Sequence, residues 1–370
     1  MTLIASYPIP FSEWMANALY DPTDGYYETH TVFADQGDFV TAANLGGWAA
    51  LAFADLIVWS WQSLGSPSSW ALVEQGGGDG QLLLDVVRNI RHLNLPEPII
   101  YSVEHCTAMR GRQSELFSQH GVAVMQCASL KGMPPLANAV LMSNELPDAF
   151  PVRRFVSRAD GLHEMMVAQD GAHFVWQEHE AVLTDGPEIA PAIMGQWREG
   201  YVSEWNPNLA SWLQHSAAVA QRSVLLCVDY GFAQREYYRP ERSDGTLMGH
   251  ARHQVVEDVL TMAGECDITA HVDFSALHRA AAGAGIAGQI FTPQWAWLAQ
   301  SPSVQKRLAE VAVKGDLASV QAVAQAKRLM LPQGMGETFK LYLATHGIAS
   351  VSPDYLRGFN RLQDLAAVAD

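Results

Sequence analysis

WALVEQGGGDGQLLLDVVRNI, residues 70–90, decides the fold. Val73 and its apolar neighbours read as a buried strand. Gly76, Gly77, Gly78 and Gly80 read as a turn, and residues 82–90 continue with helical spacing. Glycine carries no Cβ, so such a turn lets a ligand approach the backbone closely. Glu74 stands just before the turn. Phosphate cradles rely on N–H groups and the positive end of a helix, where a carboxylate is out of place. A cationic ligand suits it better. A dinucleotide fingerprint needs G-x-G-x-x-G, and counted from Gly76 its third glycine falls on Gln81. The pattern present is E-x-G-x-G-x-G.

Working outward, strand-like runs at 70–74, 99–104, 122–126, 139–143 and 224–229 alternate with helical stretches at 82–91 and 108–120. Alternation of this kind predicts a parallel sheet. Residues 286–291 read as a further strand, helices fill 292–330, and FKLYLATHG from Phe339 alternates as a late strand. The first 66 residues read as a helical region, with an amphipathic helix at 11–19 and an apolar one at 48–64. Residues 150–222 break the rhythm. They contain three short antiparallel strands, then a helical stretch over 189–220, and are expected to form an inserted subdomain that overhangs the site. The core is then 67–149 with 223–370. Helix is also expected at 255–262 and 275–282.

The chain has 370 residues, 49% of them apolar and 17% charged, enough to bury a large core. A formal charge of −16 argues against sequence-independent nucleic-acid binding, in which phosphate neutralisation dominates. The cysteines, Cys106, Cys127, Cys227 and Cys266, form no C-x-x-C pair, so no zinc site or disulfide framework is indicated. No signal peptide, transit peptide or membrane-spanning stretch is expected, and a bacterial cytoplasmic protein fits best.

Three places carry chemistry. Glu104 ends the second strand, where an acid takes the ribose hydroxyls of a nucleoside ligand. Ser129 follows the third strand and joins the candidate cofactor set. SNELPDAFPV, from Ser143, ends the fourth strand. It offers Asn144 as donor and acceptor, and Glu145 and Asp148 as two carboxylates in one turn stiffened by Pro147 and Pro151. Asp229, Tyr230, His250, His253, His271 and Asp273 each read as structural. Ser143 and Ser275 lack the setting of a hydrolase nucleophile.

The ordered series LYDPTDGYY (19–27), GDFVTA (37–42), LVEQGGGDG (72–80), NELPDAFPV (144–152), VDYG (228–231), GTL (245–247), DITAHVDF (267–274) and MGETFK (335–340) resembles one family over nearly the full chain. That family is the MidA-like methyltransferases dependent on S-adenosyl-L-methionine (SAM), whose mitochondrial members methylate an arginine and act in complex I assembly. The resemblance implies a Rossmann-like α/β sheet, mostly parallel with a late antiparallel strand, plus the substrate-covering insertion. It implies SAM as cofactor, held by Glu74, Gly76, Gly78, Gly80, Glu104, Ser129 and Asn144, with Phe39 and Thr41 folding over it. It also implies Glu145, Asp148 and Asn144 as the catalytic set and a protein substrate, in the family a respiratory-complex subunit. Gly77 replaces a proline common in the first motif. His250 stands where an aromatic residue is frequent, and Thr338 where an apolar one is. A small-molecule acceptor, or an assembly role without turnover, remains open. A nicotinamide oxidoreductase is disfavoured by Gln81 and Glu74.

Overall fold

The computed structural model describes residues 7–30, 47–93, 95–251 and 254–366. Helix α1 (Phe11–Tyr20) precedes α2 (Trp48–Ser63). Strand β1 (Ala71–Gln75) passes through the glycine turn into α3 (Gln81–Arg91). Then come β2 (Ile99–Val103), α4 (Thr107–Gln119), β3 (Met125–Cys127) and β4 (Leu136–Asn144). Further along, α5 (Leu209–Val219) leads into β5 (Ala220–Phe232). The chain closes with α6 (Phe274–Gly283), β6 (Ala287–Pro293), α7 (Gln294–Gln300), α8 (Pro302–Lys314), α9 (Leu317–Met330) and β7 (Phe339–His346).

The main sheet has the order β6-β7-β5-β4-β1-β2-β3. β1 to β5 are parallel, and β7 runs antiparallel between β5 and β6. Both sheet faces are covered, and period-two alternation assigns each residue its side. On β5, Val224, Leu226 and Val228 pack with α2, α3 and the C-terminal helices. Leu225 and Cys227 pack with α5 and α6 on the other face. The run is apolar on both sides because both sides are buried, which is why it shows no alternation in sequence.

A second, antiparallel sheet is built from Arg153–Arg158, Gly161–Asp170, His173–Val182 and Val202–Trp205. Ile9–Pro10 adds to it through Met166 and Val167, so the start of the described chain is tied to the insertion. The helix expected over 189–220 is interrupted. A short helix at Pro191–Met194 and the Val202–Trp205 strand precede α5, which lies on the main sheet. Apolar runs of this length read alike as strand or buried helix, and pairing to residues 153–156 decides for strand. Residues 255–262 likewise split, into Gln254–Val256 and a 3-10 turn at Val259–Met262. Among the described residues no helix is long and apolar enough to cross a membrane.

Candidate active site

The carboxyl ends of β1, β2, β4 and β5 meet in one place, as expected of an open α/β sheet. Gly76, Gly78 and Gly80 all have positive φ (67°, 55° and 86°), a region that side chains with a Cβ avoid. Space also demands glycine. A Cβ on Gly76 would stand 2.6 Å from Leu146 Cδ1, and one on Gly80 would stand 2.8 Å from Phe117 Cζ. Neighbouring elements hold the turn. The Gly78 N–H donates to Glu104 Oε2 (3.2 Å), and the Gly78 carbonyl accepts from Gln113 Nε2 (2.8 Å). Glu104 Oε1 accepts from the Cys106 N–H at 3.0 Å, which fixes the carboxylate at the end of β2.

Glu74 is buried beneath this turn, against Gly77. Burial, reinforced by the charges of Asp79 and Glu104, pushes its carboxyl up to about 8. Its Oε2 has no hydrogen-bond partner among the described residues. Ser129 is exposed at the start of the turn after β3. Phe39 and Thr41 lie outside the described residues.

The second half of the site follows β4. Asn144 Nδ2 donates to Glu145 Oε1 (2.8 Å), while Asn144 Oδ1 is buried with no hydrogen-bond partner among the described residues. Glu145 has φ 54°, unusual for a residue with a side chain, and its N–H donates to the Val228 carbonyl (2.9 Å). The 3-10 turn Pro147–Ala149 follows, and distant parts of the chain grip its backbone. Asn206 Nδ2 donates to the Pro147 carbonyl at 3.2 Å, and the Asp148 N–H donates to Asp229 Oδ2, also at 3.2 Å. The Ala270 N–H donates to the Asp148 carbonyl at 3.0 Å, and the Tyr20 hydroxyl to the Ala149 carbonyl at 2.7 Å.

Asp148 is buried, and burial pushes its carboxyl up to about 7, with the Tyr230 hydroxyl opposing and the Glu145 charge assisting. Asp148 Oδ1 has no hydrogen-bond partner among the described residues. Asp229 is fully buried and shifted upward for the same reason, then by the Asp148 charge. Tyr20 stacks on Tyr27 (5.4 Å between centroids), and Tyr27 donates to Asp267 Oδ1 (2.7 Å). Burial, then the charges of Asp267, Asp148 and Glu104, push the Tyr20 hydroxyl well above its ordinary value. On the far wall, His271 packs edge-on against Tyr230 and stacks on Phe232. Burial pushes its imidazole down to about 4, so it is neutral at physiological pH. A cavity of about 530 Å³ lined by Trp59, Gln62 and Gln289 lies at the opposite end of the sheet and involves none of these residues.

The structure therefore brings Glu74, Gly76, Gly78, Gly80, Glu104, Asn144, Glu145 and Asp148 to one end of the sheet. Leu146, which fills the space above Gly76, joins the two turns. A glycine cradle with unpartnered acceptor oxygens beside it fits a ligand bearing an ammonium, a sulfonium and hydroxyls. The mostly parallel sheet with its reversed β7 and this turn define a SAM-dependent methyltransferase.

Comparison with known proteins gives the family. Residues 52–292 match the model of S-adenosyl-L-methionine-dependent methyltransferases, and the chain belongs to that family. A protein from Burkholderia thailandensis, solved with S-adenosyl-homocysteine bound, is 31% identical with a TM-score of 0.85. The alignment covers 96% of this chain and 92% of that one. Protein arginine methyltransferase NDUFAF7, mitochondrial, is 28% identical from Rattus norvegicus, over 90% of this chain and 80% of the relative. The Homo sapiens protein is 26% identical, over 90% and 79%.

Sequence reasoning left Asp229, Tyr230 and His271 as structural and passed over Tyr20 and Asn206. All five lie at the Pro147–Ala149 turn or beside it. Asp229 and Tyr230 carried a usable signal, since they follow Val228, which pairs in register with Asn144 at the end of β4. Asn206 carried none, because only the tertiary fold brings it to Pro147.

Proposed function

We propose that this methyltransferase transfers the SAM methyl group to an arginine side chain of a protein. The observation that carries the reading is the buried Asp148 carboxylate, with an unpartnered oxygen, beside the cofactor turn. A guanidinium stays protonated, so it needs a carboxylate to orient it and to accept its proton as the methyl arrives. Burying that cation without paired acids would be strongly unfavourable. Glu145 and Asp148 are the candidate orienting acids, with Asn144 at the cofactor end. Glu74, Gly76, Gly78, Gly80, Glu104 and Ser129 are the candidate cofactor residues, with Phe39 and Thr41 from the segment before α2. SAM supplies the electrophilic methyl; the protein supplies alignment and electrostatics. The names of the mitochondrial relatives support an arginine acceptor. The family resemblance supports a respiratory-complex subunit as partner.

Tritiated SAM added with the protein to a lysate of cells lacking it, followed by mass spectrometry, tests this. Label on arginine of a protein, lost with Asp148→Asn, is the expected result. Label only in small metabolites overturns the protein acceptor, and cofactor binding without any label favours an assembly role. Full-rate methylation by Glu145→Gln removes that residue from the catalytic set.

A further inference from the structure

Asp229 has no role in the reading above, yet its environment is that of a working group. It is fully buried near the carboxyl end of β5. One carboxylate oxygen accepts from the Asp148 N–H at 3.2 Å, and the other from the Tyr230 N–H at 2.7 Å. It thus fixes both the residue that faces the acceptor and the tyrosine beside it. The Asp148 peptide is gripped again on its carbonyl side by Ala270, so its orientation is over-determined. A buried carboxylate serving only to hold two N–H groups is a costly choice when a carbonyl would do. An acid in that place adds charge.

We propose that Asp229 is a positioning residue for Asp148, gripping its peptide and acting with it as one acidic pair for a cationic acceptor. The inference rests on the guanidinium reading given under Proposed function. The groups around the pair are consistent with it. On its own strand Asp229 neighbours Cys227 and Tyr230. From β7, Lys340 stands opposite in register, but its Nζ donates to the carbonyls of Glu337 and Thr338. Glu145 adds a like charge, while Tyr20, Tyr27 and Asp267 close the N-terminal side. Burial pushes both carboxyls upward, assisted at Asp148 by the Glu145 charge and at Asp229 by the Asp148 charge, so the pair retains a proton near neutrality. An arriving guanidinium must displace that proton.

N-ethylguanidinium, which mimics the arginine side chain and stays charged, is the probe. It is titrated by calorimetry into the full-length protein saturated with S-adenosyl-homocysteine. With Asp148 titrating at about 7, affinity should rise roughly tenfold from pH 6 to 8. Asp229→Asn keeps an acceptor oxygen but deletes the second acid. In wild type the gain should continue above pH 8 as Asp229 also ionises beside the cation, whereas in Asp229→Asn it should level off once Asp148 has ionised. Tyr20→Phe, which removes another grip on the turn without touching charge, should weaken binding equally at both pH values. A wild-type curve that levels off at the same pH as that of Asp229→Asn overturns the pairing. Absence of binding to wild type overturns the guanidinium reading itself. If Asp229→Asn fails to fold, infrared titration of Asp148→Asn decides instead: the remaining Asp229 carboxyl must ionise below the wild-type pair, and no shift overturns the proposal.

Discussion

The two turns that bracket the site are built by opposite means. The glycine turn after β1 is local. Its shape comes from three positive-φ glycines within five residues, and its supports, Glu104 and Gln113, come from the next strand and helix. The Pro147–Ala149 turn after β4 has no such intrinsic shape. It is held by Tyr20, Asn206, Asp229 and Ala270, which are separated from it by about 60 to 130 residues. One is fixed by what its residues are, the other by what the rest of the fold brings to it. The glycine turn therefore needs only its neighbours in sequence, while the Pro147–Ala149 turn depends on Tyr20 near the start of the described chain and on Asn206, Asp229 and Ala270 far downstream.

The largest expected effect separates the halves directly. Asp148→Asn should lower kcat/KM for the acceptor by about 10²–10⁴-fold, the range of general acid–base catalysis, and leave SAM affinity within about twofold. Steady-state kinetics with calorimetry of SAM checks this. Loss of SAM affinity on the same scale would show that the turns are not separable. Gly80→Val is the converse. A branched side chain at φ 86°, driven against Phe117, should cost about 1–3 kcal/mol of stability and weaken SAM binding. Thermal unfolding and calorimetry measure both.

This difference in construction explains what was legible beforehand. The parallel sheet, a late strand at Phe339 and the glycine turn could be read because strand–helix alternation and E-x-G-x-G-x-G are short-range patterns; the reversed direction of that strand came only from the family resemblance. The antiparallel strands at 153–182 were legible for the same reason. The Val202–Trp205 strand was not, because its partner lies some 50 residues earlier. At the site, Glu74, Glu104 and Asn144 sit at strand ends, Asp148 in the turn just after one, and they announce themselves. Asp229 lies near the carboxyl end of β5, but one acid in an apolar run gives no sign that it will accept from Asp148. Tyr20 belongs to a recognisable motif whose purpose, a hydrogen bond 129 residues away, is invisible until the chain is folded.

Acid–base behaviour sharpens the comparison at intermediate size. Glu74 rises from 4.5 to about 8 in the folded protein. A carboxyl raised on folding binds more protons folded than unfolded, so stability is highest at low pH and falls as pH rises from about 4.5 to 8. In the absence of cofactor, Tm should decline across that window, and Glu74→Gln should flatten the decline. Asp148 contributes in the same direction, between 3.8 and about 7. SAM, whose cationic groups suit the ionised Glu74, should flatten the upper part of the curve. If SAM leaves the decline unchanged, Glu74 supports the turn and does not face the cofactor.

The smallest effect tests whether the acceptor turn is a unit. Tyr20→Phe deletes one hydrogen bond, to the Ala149 carbonyl, and keeps the ring stacked on Tyr27. A single such bond is worth about 0.5–1.5 kcal/mol, so acceptor kcat/KM should fall about 2- to 12-fold. SAM affinity should hold, although the Tyr20 hydroxyl also lies in the field of Glu104. The informative measurement is the double variant with Asp148→Asn. If Tyr20 works through the Asp148 turn, removing it from an enzyme already lacking that carboxylate changes little, and the double variant matches Asp148→Asn alone. Additive losses would mean that Tyr20 meets the acceptor or the cofactor itself. The N-terminal motif would then belong to the ligand-contacting surface and no longer to the frame that holds the turn.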